Sequence, residues 1–441
     1  MRQFLQNEDL LNLSRFHGSD FTRDRVLTFQ RLTLFIINLI RRTLQIEINN
    51  FTDDLGVENV TKQAFSKARK KLNPIVFKLL NDKFVSEFYT DNDITTFHGF
   101  RILAIDGTKI QLPSSEEINR TYGFSQSQFG NAIPMAQASI MFDVLNKVTI
   151  HSLITPMNTS ERDLAAQHLD KLTKFQEQLS LNTNKIKDLA IFDRGYPSTG
   201  LLAKLFVEKK DFMFRCQRSF VPQLASMITE GKNDAIFTVK VFDKSRKKEF
   251  KERILKILPG IDREIELKIR VVLFALDSGD LEIIVTSLLD DKEFTREIVF
   301  ELYNLRWGTE ENNKHLKSIA QLENFSGKSK VSIEQDFYAT VFTCNVANML
   351  AQEAIEEIQS VRSNKDLKYE YAINKNIALG VIKDDLIQAL LSGEEMHIFC
   401  NRVKQRMAKA LVPIRKNRKF PRKKISASSY RKYYINCRRS I

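Results

Sequence analysis

Two aspartates and a glutamate stand where a divalent cation would explain them. Asp106 lies in the middle of the strand-like run Ile102–Leu112 and is followed by Gly107. Asp193 ends the short apolar run Asp188–Asp193 and is followed by Arg194-Gly195-Tyr196. A carboxylate inside an otherwise apolar strand is costly unless it is paired or binds a cation. Two of them on adjacent strands of one sheet repel, and a divalent ion between them removes that cost. The third acid, Glu310, lies in the segment Tyr303–Lys317, YNLRWGTEENNKHLK. Projected as one α-helix, Tyr303, Arg306, Glu310, Lys314 and Lys317 fall within an arc of about 80°. Ile298, Leu302, Leu305 and Leu316 form a separate apolar stripe. Such a helix packs one side into a core and presents a carboxylate ringed by cations and a phenol. Glu310 and Lys314 also have the i, i+4 spacing of a surface charge pair. Other acids read differently. Asp143 ends a strand of its own, and Glu161 and Asp163 follow Ser160 as first-turn acids favoured by a helix dipole.

The spacing Y-x2-R-x3-E-x6-K, met by Tyr303, Arg306, Glu310 and Lys317, resembles the signature of the bacterial insertion-sequence transposases of the IS-four family. DGTKI around Asp106 and DRGY around Asp193 resemble that family's aspartate contexts, and TKQAFSKARKKL (61–72) is similar to its N-terminal DNA-binding region. The resemblance runs in one order from about residue 60 to about residue 350. It implies a ribonuclease-H-like mixed-sheet core with a β-rich insertion before the catalytic helix. It also implies two Mg²⁺ or Mn²⁺ ions held by Asp106, Asp193 and Glu310, and cut-and-paste transposition by a homodimer on double-stranded DNA. The implied chemistry is in-line displacement at a phosphodiester between ions ~4 Å apart, one activating the attacking oxygen and one stabilising the leaving oxygen. Tyr303, Arg306 and Lys317, with Lys314, are expected beside the cut phosphate. Relatives that make hairpin ends use a Trp in the insertion. The single Trp here is Trp307, inside the signature, which leaves hairpin formation open. Two other readings fit the same residues: a ribonuclease-H-like DNA nuclease without strand transfer, and a catalytically silent, transposase-derived DNA-binding protein.

The elements that must position these residues can be read from periodicity. Residues 1–96 read as a helical, DNA-binding domain. Thr61 caps a predicted helix that ends near Pro74, with Lys62, Lys67, Arg69 and Lys70 giving it a basic side. Val26–Leu44 is strongly apolar and reads as core. Residues 97–216 read as the first part of an α/β core: strands at 102–112, 135–144 and 147–155, a helix of about twenty residues from Ser160, a strand at 188–193, a helix at 197–209 and a strand at 211–216. Residues 217–294 read as the β-rich insertion, with strands at 237–242, 265–276 and 281–289 and a hairpin turn at Asp277–Asp280. Residues 295–360 complete the core, and 361–441 form a helical region with a basic tail.

Composition agrees with a polyanionic partner. The 441 residues carry a formal net charge of +14 and a pI of about 9.4. A chain this basic points to nucleic acid or an anionic membrane. The longest apolar run near the start, Leu32–Ile40, is interrupted by Asn38 and is too short to span a bilayer. From Arg402 onward there are 15 Lys or Arg and no Asp or Glu, interleaved with Phe420, Tyr430, Tyr433 and Tyr434. That pattern suits phosphate contacts plus base stacking. Four scattered cysteines without a C-x-x-C pair point to a reduced, cytoplasmic protein, and a DNA partner would make it nucleoid-associated.

Overall fold

The computed structural model describes residues 2–23, 25–38, 40–91, 93–126, 132–180, 187–242, 248–261, 264–276, 279–362, 369–391 and 395–414. They form two compact units. One comprises residues 84–110 and 122–312, and the other residues 1–83, 111–121 and 313–441.

The first unit is built on a mixed sheet. Its strands are β1 (Phe100–Gln111), β2 (Phe124–Gln126), β3 (Ala132–Asp143), β4 (Val148–Pro156), β5 (Lys187–Phe192), β6 (Asp211–Cys216), β7 (Asp234–Phe242), β8 (Ile265–Ala275) and β9 (Leu281–Thr286). Their order is β2-β3-β1-β5-β6-β9-β8-β7, with β4 paired to β3. β1, β5 and β6 run parallel. Strands buried on both faces read as continuous apolar runs, and LAIF of β5 and FMF of β6 are such runs. The Glu161–Ser180 helix packs on β3 and β4, and the Thr199–Val207 helix contacts it. An antiparallel hairpin beside three parallel strands, with a helix between the fourth and fifth, is a ribonuclease-H-like core.

The strands of the expected β-rich insertion join the core's own sheet. β9 pairs antiparallel with β6, and β8 and β7 follow it, so the insertion strands extend the central sheet. The physical reason is the open edge that β6 would otherwise leave. β8 and β9 pair as the expected hairpin up to Ala275 opposite Leu281; of its turn, Asp277 and Ser278 lie outside the described residues.

A buried ion pair clamps the centre of this sheet. Arg101 of β1 is fully buried and donates two hydrogen bonds, 2.6 and 2.9 Å, to Asp188, its register partner on β5. Its guanidinium lies 4.4 Å from the Tyr89 ring centroid. Breaking such a pair strands a buried charge, whereas replacing both partners by apolar residues is tolerated. Arg101→Leu is therefore expected to destabilise the protein by about 3–5 kcal/mol, and Arg101→Leu with Asp188→Leu to recover most of it. Urea midpoints of the two variants against the parent check this; equal losses would rule out the clamp.

The second unit is helical and discontinuous in sequence. The Phe29–Ile37 helix, capped by the Thr28 hydroxyl, is buried along most of its length and packs on the long Lys330–Arg362 helix. Thr343 Oγ1 donates to the Ile37 carbonyl at 2.9 Å. Thr61 caps the Lys62–Arg69 helix as expected. Two features add to the expected helical C-terminal region with its basic tail. Glu370–Ile373 and Leu411–Ile414 form a small antiparallel pair. Basic residues from 402 on are partly ion-paired, Lys404 with Glu353 and Glu357, and Arg406 with Asp384 and Asp385. The stretch from 415, with Phe420, Tyr430, Tyr433 and Tyr434, lies outside the described residues. No helix among those described is long and apolar enough to cross a membrane.

Candidate active site

Strand register brings the two aspartates side by side. The parallel β1–β5 ladder ends with Ile105 opposite Phe192, so Asp106 and Asp193 are the next residues on two strands about 4.8 Å apart. Asp106 is half-buried. Burial, Glu310 and Asp193 push its carboxyl up to about 6, against the pull of Arg306 and the Gly107 amide. One oxygen of Asp193, Oδ1, is buried with no hydrogen-bond partner.

Glu310 reaches the same place from a broken helix. Thr295 caps the Arg296–Asn304 helix. The chain turns at Leu305 and Arg306, where the Gly308 and Thr309 amides reach back three residues to Leu305 and Arg306. A second helix, Trp307–Lys314, then starts with Glu310 in its first turn, where the dipole favours an acid. His315–Ile319 continues as a π-helical turn. The expected single helix is thus two helices and a π turn, so the 100° projection holds only within each piece. Glu310 pairs with Arg306, at 3.0 Å, four residues before it.

Arg306 is the hub of these acids. It is 3% exposed, and its Nε lies 4.0 Å from Asp193 Oδ1 while its Nη1 holds Glu310. Nε has no hydrogen-bond partner. Its guanidinium is 4.9 Å from the centroid of the exposed Trp307 ring. Burial works against charge there, yet Tyr303, Asp193 and Glu310 hold the guanidinium above its usual value. Tyr303 is buried, its hydroxyl lacks a partner, and burial raises its phenol. The structure therefore gathers Asp106, Asp193, Glu310, Arg306 and Tyr303. Lys314, exposed, and Lys317, half-buried, fall in the other compact unit. Among the described residues no three His, Cys, Asp or Glu side chains are already close enough to enclose an ion.

Of the N-terminal basic residues, Lys62, Lys67 and Lys70 are exposed. Arg69 is not available to a phosphate. It is 5% exposed and holds Asp336 at 2.6 Å, Gln335 at 2.5 Å and the Ser332 carbonyl at 3.0 Å. A basic pattern cannot tell which turn of a helix faces inward. Asp143 is fully buried and accepts from Tyr89, Asn146 and two backbone amides, a structural role.

Two residues near the acids carried no decisive signal in the sequence. A Cβ on Gly308 would overlap Val144 Cγ1, so only glycine lets the Glu310 helix approach the end of β3. Gly308→Ala is expected to destabilise by about 1–3 kcal/mol through overpacking. Thermal melts of this variant check the effect, and Gly308→Ala with Val144→Ala should restore the parent's stability. The other is Glu161. Its carboxylate lies over Gly107 and Gly195, the first of which follows Asp106 and the second of which stands two residues after Asp193.

The sequence pattern of the transposase DDE domain matches residues 98–346, more than half of the chain. The chain belongs to that family. Transposase InsG of insertion sequence element IS4 from Escherichia coli K12 is 22% identical to this DDE-domain chain over 312 residues, 69% of it. The match spans 64% of InsG, just under two thirds of that relative's length. A cryo-EM structure of the piggyBac transposase synaptic complex with hairpin DNA aligns over 91% of this chain and 81% of that one, with a TM-score of 0.44 and 10% identity. Asp106, Asp193 and Glu310 all lie within the matched DDE domain.

Proposed function

We propose that this DDE-domain protein is a transposase that cuts double-stranded DNA at the ends of an insertion sequence and joins them to target DNA. The observation that carries the reading is the adjacency of Asp106 and Asp193 by register, with Arg306 linking Asp193 to Glu310. Hard carboxylate oxygens, one of them buried without a partner, fit Mg²⁺ or Mn²⁺. Asp106, Asp193 and Glu310 would hold two such ions, which supply activation of the attacking oxygen and stabilisation of the leaving one. The chain's own groups do the rest. Arg306, paired with Glu310 here, would turn its planar fork to two phosphate oxygens once cations take up that carboxylate, and Lys314 and Lys317 offer point charges. Tyr303 can donate one hydrogen bond. Lys62, Lys67 and Lys70 hold DNA away from the cut, with the basic stretch beyond Arg402, and a homodimer bridges the two ends.

The experiment is an incubation of the purified chain with Mg²⁺, DNA bearing the inverted repeats that flank its gene, and a target plasmid. Joined products support transposition; nicked ends without joining would instead support the nuclease reading, and binding without either would support a silent DNA-binding protein. Affinity for the ends is expected to fall linearly with the logarithm of salt concentration, and deletion of residues 414–441 to reduce that slope. An unchanged slope in a gel-shift series would remove the tail from the interface.

A further inference from the structure

We propose that Glu161 is a fourth carboxylate of the divalent-cation site. The proposal rests on the reading of Asp106, Asp193 and Glu310 as cation ligands.

Glu161 opens the helix that packs on β3 and β4, and a first-turn acid is ordinarily explained by the dipole of its own helix. Its geometry is different. Oε1 lies 3.0 Å from where a Cβ on Gly107 would stand, and Oε2 lies 3.0 Å from where a Cβ on Gly195 would stand. Gly107 directly follows Asp106, and Gly195 comes two residues after Asp193. The carboxylate therefore spans the two acid-bearing segments, and both segments lack a side chain where it lies. Gln137 of β3, 3% exposed, donates to Oε1 at 3.4 Å and fixes the group there. The buried Tyr196 side chain feels the charges of Asp106, Glu161 and Asp193 together.

Charge makes the arrangement informative. Among the described residues no Lys or Arg forms an ion pair with Glu161, whereas Asp163, in the same helical turn, pairs with Lys256. The buried cation of the site, Arg306, is committed to Glu310 and leaves its Nε facing Asp193 without a hydrogen bond. Four carboxylates and one guanidinium leave a net charge of about −3 when all are ionised. Two divalent cations with one bound phosphodiester bring the opposite charge. A three-carboxylate site leaves part of that charge unmatched, and the glycine-lined position of Glu161 supplies it. Oxygen donors are the ligands such hard cations take.

The test is titration of Mn²⁺ into the full-length chain, followed by the EPR signal of free Mn²⁺. Glu161→Gln is expected to weaken Mn²⁺ binding on the order of tenfold, as loss of a supporting metal-site group does. Glu161→Asp should fall between it and the parent, and Asp163→Asn should bind as the parent does. Thermal melts in EDTA show whether each variant is folded; if Glu161→Gln is not, Glu161→Asp decides. Parental Mn²⁺ binding in the folded Glu161 variants, with weakened binding in Asp106→Asn, overturns the proposal and leaves the three-acid site standing. Parental binding in Asp106→Asn as well would instead overturn the cation-site reading itself.

Discussion

Asp106→Asn is expected to abolish DNA cleavage while leaving end binding nearly unchanged. The side chain stays the same size, so β1 keeps its pairing with β5 and the sheet is undisturbed. What is lost is one anionic oxygen donor beside Asp193. A metal-assisted displacement depends on several kcal/mol of transition-state stabilisation, so the rate should fall on the order of 10³-fold or more. On the proposed function, DNA affinity would come from many phosphate contacts elsewhere, which removal of a negative charge does not weaken. The measurement is single-turnover cleavage of an end fragment, with a gel shift on the same preparation. Cleavage within tenfold of the parent would remove Asp106 from the reaction. Parallel losses in cleavage and binding would point to misfolding.

Arg306→Ala should produce the next largest effect, with a different signature. Arg306 is buried against Glu310 and Asp193, and it stacks over Trp307. Without it the acids face one another with no cation between them, so the variant should melt earlier than the parent in EDTA and regain more stability on adding Mn²⁺. Cleavage should fall about 10²–10³-fold, the usual loss when one preorganised donor to a reacting group is removed. End binding should change little, because few groups can set the geometry of the attacked phosphate whereas many supply affinity. Arg306→Lys should rescue poorly, since a point charge cannot bridge two partners as a planar fork does. If end binding fell in step with cleavage, or neither changed, the positioning role would be wrong.

Much of this arrangement was legible in the sequence because strands and apolar runs follow short-range rules. ILAID and LAIFD announced two buried strands, one carrying an acid in its middle and one followed by an acid at its end, and their shared sheet followed from the alternation of strands and helices. The break at Leu305–Arg306 was not legible, since Ile298, Leu302, Leu305 and Leu316 fall on one projected stripe across it, and the close approach of Gly308 to Val144 is a long-range contact. The fate of residues 217–294 was hidden for a related reason. Their strands look alike whether they form a separate sheet or extend an old one, and only the long-range β6–β9 pairing decides. Arg69 misled because burial of a cation depends on Asp336, more than 260 residues away. Glu161 drew no attention beyond its helix start, because a carboxylate there has a sufficient local explanation.

The discontinuity of the helical unit bears on how the protein is made. Ile37, Arg41 and Arg69 bond to residues 320–343, the first of these contacts being 306 positions apart. At ribosomal speeds of roughly 5–20 residues per second, the Phe29–Ile37 helix waits some tens of seconds for its cover to emerge. Throughout that interval its apolar face is open to chaperones and proteases. A message or polypeptide cut short before residue 313 therefore yields an N-terminal segment that cannot complete its fold. Such fragments would be cleared and not accumulate as competitors for DNA, so the order of synthesis itself ties the basic N-terminal segment to the presence of a finished enzyme.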